Sequence, residues 1–323
     1  RLFKRSFHGL SASRDIRQAI LGLDSTAVVH LHGAFLPEFA AIARRLRRRG
    51  VPYVVTPHGS YCLEALKKSA LRKKIWLALR EKKMLRGARA VQALSGREFA
   101  DMGSITDIGH VQIIPNGQEA ASPPPGMEAP AIDGPSKQPI FAFCGRMGAY
   151  TKGLDVLVEG FARYVAGRGV GSLWMIGDGP DRVSLEARCE ELGVHRRVHF
   201  FGPLFGNDKA LRLRAADAFV HPSRHEGMPT AVLEAGSLGL PMLVTKGTNL
   251  DQEVRSASAG FVIAEREHVN GQLPLRSRNA AWLIASTFSW HRIALLTGRD
   301  LYGLEGLPDP DAPEEPAAAV HAA

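Results

Sequence analysis

The sequence predicts an α/β protein built from two parallel-sheet units with helices on both faces. Three observations carry this. Short apolar, β-branched runs recur along the chain, and helical stretches separate most of them. A Pro-, Ser- and Gly-rich segment, Ala120–Pro139, divides the runs into two groups and reads as a linker. The 323 residues suit two domains, and an apolar content of 45% suffices for two cores. The organisation is then a unit at 1–135 including the linker, a second at 136–288, a closing helix at 289–307 and a disordered tail at 308–323.

Each predicted strand is a short apolar run bounded by turn residues. The first unit offers Ala27–His32, Tyr53–Thr56, Ala90–Ala93 and Val111–Ile114. The second offers Ile140–Cys144, Ser172–Ile176, Val198–Phe201, Ala218–His221, Pro241–Thr245 and Gly260–Ile263. Ligands of open parallel sheets bind beyond the carboxyl ends of the strands. Functional residues are therefore sought just after these runs.

Composition narrows the classes. Cys62, Cys144 and Cys189 are scattered and lack C-x-x-C spacing. That speaks for a reducing compartment and against a disulfide framework or zinc site. No apolar run reaches the roughly 20 residues that span a bilayer, and the opening residues do not read as a secretory leader. The net charge of +9 is unevenly placed: residues 1–120 hold 21 Lys and Arg against 9 Asp and Glu. The excess gathers at Arg44, Arg45, Arg47, Arg48 and Arg49 and in the segment Lys67–Arg86. There Leu66, Leu71, Ile75, Trp76, Leu79 and Leu85 interleave with the cations. The segment reads as a basic amphipathic helix suited to an anionic membrane surface. A solvated face packed on its own domain is the plainer alternative. Nucleic acid is not expected, because no stacking aromatics, zinc finger or RNA-binding signature accompanies the charge.

The strongest motif runs from Ala216 to Thr245 and reads as strand, loop, helix, loop, strand. Glu226 and Glu234 stand eight residues apart across the loop-to-helix junction. Gly227 allows close approach to the backbone, and Pro229 suits the first helical turn. The helix start offers free N–H groups and a positive dipole end, a seat for an anion. Amides for a phosphate and two acids for hydroxyls suit a sugar nucleotide. Arg146 and Lys152, six residues apart at the end of the 140–144 strand, add two cations beside a helix expected to open at Lys152-Gly153. Such cations stabilise a leaving diphosphate as charge builds on it. His58, in T-P-H-G-S-Y, sits on a turn after a first-unit strand and can donate to a hydroxyl or phosphate. His32, in V-V-H-L-H-G, ends the neighbouring strand. Ile114-Pro115-Asn116-Gly117 and Gly177-Asp178-Gly179 mark two further strand ends.

Together these motifs resemble the family 4 retaining glycosyltransferases. E-G-M-P-T-A-V-L-E matches the family's E-x7-E element, and G-R-M-G-A-Y-T-K-G its phosphate-binding Arg/Lys pair. I-P-N-G, A-D-A-F-V-H-P-S and G-L-P-M-L-V-T also fit, as does Phe288-Ser289-Trp290 with Leu301-Tyr302. The H-G, T-P-H-G and T-K-G-T-N elements resemble bacterial polysaccharide-assembly members, and the resemblance covers roughly residues 25–305. It implies the GT-B fold: two Rossmann-like domains facing across a cleft, with the nucleotide sugar held by the second. It implies that Arg146 and Lys152 hold the diphosphate. Glu226 and the amides near Gly227 and Met228 meet the donor sugar or phosphate, Glu234 binds the ribose, and His58 reaches the sugar from the acceptor side. The implied reaction moves a sugar from a nucleotide-diphosphate sugar to a glycan or lipid-linked glycan with retention. Neither cofactor nor metal is required, and the implied location is cytoplasmic, peripheral at the inner membrane face. Alternatives are a GT-B nucleotide-sugar epimerase and a truncated, non-catalytic homologue that binds only nucleotide or membrane. Relative to the family pattern, the first domain reads as incomplete at Arg1, and Ile263–Thr287 is short.

Overall fold

The computed structural model describes residues 12–24, 26–67, 69–105, 107–119, 138–263, 283 and 286–311. Most of the predicted linker (120–137), of the tail (312–323) and of 263–287 therefore lies outside the described residues. The first unit contains α1 (Arg14–Leu21), β1 (Val29–His32), α2 (Pro37–Arg48), β2 (Tyr53–Thr56), α3 (Leu63–Lys67), α4 (Ala70–Trp76), α5 (Lys82–Arg86), β3 (Ala90–Ala93), α6 (Gly96–Ile105) and β4 (Val111–Ile113). A π turn, Leu77–Glu81, joins α4 to α5. The second contains β5 (Ile140–Cys144), α7 (Ala149–Lys152), α8 (Leu154–Ala166), β6 (Ser172–Ile176), α9 (Arg182–Glu191), β7 (Val198–Gly202), α10 (Gly206–Arg214), β8 (Ala218–His221), α11 (Thr230–Ser237), β9 (Met242–Val244), α12 (Asp251–Ser256) and β10 (Gly260–Val262). A last helix, α13 (Trp290–Leu296), continues into a π turn at Thr297–Tyr302.

All ten predicted strands form, and every pairing is parallel. The sheet orders are β1-β2-β3-β4 and β10-β9-β8-β5-β6-β7. β2, β3 and β8 are buried along their whole length. Strands covered by helices on both faces need this, and it explains why only Thr56, Gln92 and His221 interrupt their apolar sequence. In the second sheet the chain order reverses between β5 and β8, which opens a crevice at their carboxyl ends.

Three local expectations need correction. Pro229 is the N-cap of α11 rather than its first helical residue. Lys152 ends α7 instead of opening α8, because Gly153 takes φ 65° and breaks the helix there. A Cβ at Gly153 would collide with the Pro222 carbonyl, so this turn also welds the β5 loop to the β8 loop. The basic segment Lys67–Arg86 is not one regular helix. Ser69, at φ 58°, separates α3 from α4, and the π turn rotates α5 relative to α4.

The α13 helix starts at Ser289, whose hydroxyl accepts from the Arg292 N–H. It belongs to the first unit by packing. Ile293, Leu296 and Leu301 are buried against Val54, Ala90 and Ile114. Each such burial contributes about 1.5–3 kcal/mol, more than any exposed ion pair on this surface. The chain passes from the second unit to α13 beside the other inter-unit crossing. There Gln118 N–H donates to the Phe288 carbonyl (2.7 Å), Gln118 bridges Ser289, and Gly117 lies against the Trp290 ring.

Candidate donor-binding site

The switch point gathers charge from both of its strands. Lys152 comes from the end of α7, just after β5, and Glu226 from the loop after β8. The Lys152 ammonium donates to Glu226 Oε1. The same oxygen accepts from Ser223 Oγ (2.8 Å) and faces His221 Nε2 (3.3 Å). Asn249, at φ 59°, donates from Nδ2 to the carbonyls of Glu226 (2.6 Å) and Gly227 (3.1 Å). Both the side chain and the backbone of the 226–227 turn are therefore fixed before any ligand arrives.

The electrostatics follow from burial and pairing. Burial alone would raise the Glu226 pKa. Hydrogen bonding from His221 and the Lys152 ammonium outweigh it and hold the value at about 2. His221 is fully buried, its ring stacked with Phe143 and Phe219 at 5.4 and 5.9 Å. Burial pushes its pKa down and the Glu226 charge opposes this. The imidazole is thus neutral and donates its Nε2 proton to the carboxylate. His221, Ser223 and Asn249 went unassigned in the sequence. The available signal was their place: H-P-S directly after a strand end, and Asn249 ending the turn after β9.

The first unit answers with a histidine array. His58 stands after β2 at φ 51°, followed by Gly59 at φ 75°. His58 Nε2 lies 2.9 Å from His32 Nδ1, and His30 stacks on His32 at 4.0 Å. The Thr56 hydroxyl donates to Gln92 Oε1 (2.7 Å), whose amide nitrogen in turn donates to the Ile114 carbonyl. Thr56 Oγ1 therefore accepts from His30 Nε2–H (2.6 Å), and His30 Nδ1 accepts from Tyr302 Oη–H (2.9 Å). This defines the His30 tautomer and ties the end of α13 to the array. Burial lowers all three histidines, and His32 and His58 help push His30 to about 4 from the usual 6.5.

The sign of the pH effect follows. Between pH 6.5 and 4 the unfolded chain binds the His30 proton and the folded chain does not, so stability rises with pH across that window. The thermal midpoint is expected to fall as pH drops through that range. His30→Gln is expected to flatten the profile; an unchanged slope would contradict the assignment.

The two units meet where these groups face each other. A Cβ on Gly59 would stand 2.5 Å from Gly227 N, and one on Gly227 would stand 2.7 Å from the His58 carbonyl carbon. Only glycine at both positions permits this contact. Gly59 N–H donates to Glu98 Oε1 (2.5 Å), and Leu94 N–H to Glu98 Oε2 (2.8 Å). Glu98 is fully buried, and burial raises its pKa. Asn116 Nδ2 donates to the Met228 carbonyl (3.2 Å), and the Cys62 thiol reaches the Glu226 carbonyl (3.8 Å). Arg97 also donates to the Lys246 carbonyl (2.6 Å).

Of the predicted site residues, Lys152, Glu226, Gly227, Met228 and His58 come together at this contact. Arg146 is exposed on the loop after β5 and makes no ion pair among the described residues. Glu234 lies inside α11 and pairs with Lys209 of α10 at 2.8 Å. The geometry offers one held cation, Lys152, an exposed one, Arg146, a rigid carboxylate and a histidine from the opposite unit.

Comparison with known proteins points the same way for both units. Residues 2–117 match the glycosyl transferase 4-like domain, and residues 128–270 match the glycosyl transferases group 1 family. The second part of the chain is thus similar to the group 1 glycosyltransferases and the first to the 4-like domain, each match spanning less than half of the chain. The lipopolysaccharide core biosynthesis glycosyltransferase LpsE of Rhizobium meliloti is 33% identical over 132 residues, covering 41% of this chain and 37% of that protein. An Escherichia coli enzyme, UDP-Gal:alpha-D-GlcNAc-diphosphoundecaprenol alpha-1,3-galactosyltransferase, is 29% identical over 252 residues, or 73% of this chain and 62% of that one. The first curated relatives are matched over only 30–37% of their own length. Among solved structures, Anabaena HepE bound to UDP-glucose superposes with a TM-score of 0.70 at 17% identity, over 94% of this chain and 86% of that one. At that identity the likeness speaks for the fold, and this chain has the two-domain GT-B architecture.

Proposed function

We propose that this chain moves a sugar from a nucleotide-diphosphate sugar to a glycan or lipid-linked glycan, with retention at the anomeric carbon. One observation carries the reading: a Lys152–Glu226 pair, locked by His221 and Ser223, directly faces the His58 turn of the opposite unit. Its relatives support the direction, since one is named for a UDP-Gal donor and a lipid diphosphate acceptor, and HepE holds UDP-glucose.

In this reading Arg146 and Lys152 neutralise the diphosphate, and no metal is needed. As Lys152 turns to the phosphates, the Glu226 carboxylate is freed to accept from donor-sugar hydroxyls. Amides near Gly227 and Met228 hold the sugar or phosphate, and Glu234 exchanges Lys209 for the ribose hydroxyls. His58 contacts the sugar from the acceptor side. The acceptor oxygen attacks the anomeric carbon from the face the phosphate leaves. A C–O bond to the acceptor forms as the C–O bond to phosphate breaks, and the acceptor proton passes to the departing phosphate oxygen. Among the described residues no helix is long and apolar enough to cross a membrane. We place the chain at a cytoplasmic membrane face through the Lys67–Arg86 segment.

A thermal-shift series with nucleoside diphosphates and their sugars tests the donor. The cognate donor at a hundredfold excess over its Kd is expected to stabilise the chain by about 2.7 kcal/mol. Absence of any shift across the common uridine, guanosine, adenosine and cytidine donors would remove the reading.

A further inference from the structure

The helical run from α3 to α5 has two apolar faces. One is buried: Leu77, Met84 and Leu85 pack into the first core. The other points outward, with Leu71 74%, Ile75 52% and Leu79 69% exposed. Leu71 and Ile75 stand four apart on one face of α4, and Leu79 follows exposed in the π turn. A water-facing helix does not need such a stripe, and a contiguous one marks a contact surface. The surrounding charge is one-sided. Arg72, Lys74, Arg80, Lys83 and Arg86 are exposed, while Glu81, the one acid between Ala65 and Arg86, is fully buried.

At the Leu79 end, the stripe meets a depression of about 330 Å³ between α2 and the π turn. Its lining includes Arg44, Arg47, Arg80, Lys83, Leu79 and Met84, with no acidic residue. Arg47 is anchored, donating to Tyr53 Oη (3.2 Å) and the Lys83 carbonyl (2.9 Å), and so ties the two walls together. Arg44, Arg80 and Lys83 make no ion pair among the described residues. Four cations, two from α2, one from the π turn and one from α5, around one hollow suit a phosphate, which guanidinium groups grip with paired N–H donors. A nucleic acid would satisfy the cations but leave the leucine stripe in water.

We propose that this hollow seats the phosphate of an anionic phospholipid headgroup, with Leu79, Ile75 and Leu71 dipping into the acyl boundary of the same leaflet. The proposal rests on the membrane-peripheral reading above and adds a specific headgroup site to it. It lies on the first unit, apart from the Lys152–Glu226 centre, and so holds the enzyme to the surface rather than binding donor.

Co-sedimentation of the whole chain with phosphatidylcholine vesicles, with and without phosphatidylglycerol, tests it. The chain is expected to pellet with the mixed vesicles and stay in solution with the neutral ones. Equal partition into both overturns the anionic headgroup site, and failure to pellet with either overturns the membrane reading itself. Arg44→Ala/Arg80→Ala is expected to weaken binding to mixed vesicles by about 25-fold, since each cation at an anionic surface is worth ~1 kcal/mol. Arg45→Ala/Arg48→Ala removes the same charge from α2 outside the hollow and is expected to cost distinctly less. An equal loss in the two pairs overturns the headgroup site while leaving the membrane reading intact. Leu71→Ser/Ile75→Ser/Leu79→Ser is expected to weaken binding even with the cations present. Unchanged binding, or a wild-type dimer in light scattering that this triple variant abolishes, overturns the seating of the stripe in lipid.

Discussion

Glu226→Gln is expected to cut glycosyl transfer by about two to three orders of magnitude, the range seen when one preorganised polar contact to a transition state is removed. The amide keeps the shape of the side chain and loses its charge. In the resting site it leaves Lys152 without its counter-ion and His221 with a weaker acceptor. The two partners are 14% and 21% exposed, so the cost to stability lies well below the ~3–5 kcal/mol of a fully buried pair. The informative result is a split. Nucleoside diphosphate binding should survive or tighten, because Lys152 no longer needs to leave a carboxylate. The extra affinity of the nucleotide sugar over its bare nucleotide should vanish, together with turnover. Calorimetry with both ligands, beside an initial-rate assay, measures the two halves separately. Turnover within threefold of the unaltered chain would sink the role given to Glu226.

Gly59→Ala should be nearly as damaging to transfer while leaving donor binding alone. At φ 75° an alanine costs about 1–2 kcal/mol, and its methyl would enter the Gly227 backbone of the opposite unit. The turn carrying His58 must then lift away from the donor loop. Since the donor contacts lie in the second unit, thermal stabilisation by the cognate nucleotide should persist. At least a tenfold fall in kcat is expected, the scale of ~1.4 kcal/mol of lost alignment. Gly227→Ala should behave in the same way, because its methyl would press on the His58 carbonyl carbon. Full activity in both variants would mean that the contact is incidental.

The sheets were legible because a parallel strand flanked by helices is mostly apolar and β-branched and ends at turn residues, and ten short runs of that kind stand in the sequence. The pairing of Lys152 with Glu226 was not, since 74 residues separate them and only the reversal of strand order at β5 and β8 brings them together. Arg146 and Lys152 look alike as cations on one loop, yet only Lys152 meets a carboxylate, because Gly153 turns the chain at that point. His221 is the last residue of a strand and reads as core; its role rests on a carboxylate five residues on folding back over it. Glu98 resembles any acid in the first turn of a helix, but two backbone amides draw it inside. The cations and leucines of Lys67–Arg86 were plain in the sequence. Which leucines face water was not, because a π turn and a left-handed serine reset the faces.

The backbone seam between Gln118 and Phe288–Ser289 has a mechanical consequence. Among the described residues, Gln118 at the end of the first unit and Phe288–Ser289 at the entry to α13 are zipped together, with Trp290 wedged on Gly117. Two separate tethers would leave the halves a fixed axle; one joined seam makes a pivot, as in a pair of tongs. The gripping tips are Gly59 and Gly227. Both pivot and tips are built from main chain, glycine and an indole ring rather than from ion pairs. The swing of the tongs should therefore be indifferent to ionic strength, even where grip on a charged donor or a charged surface is not.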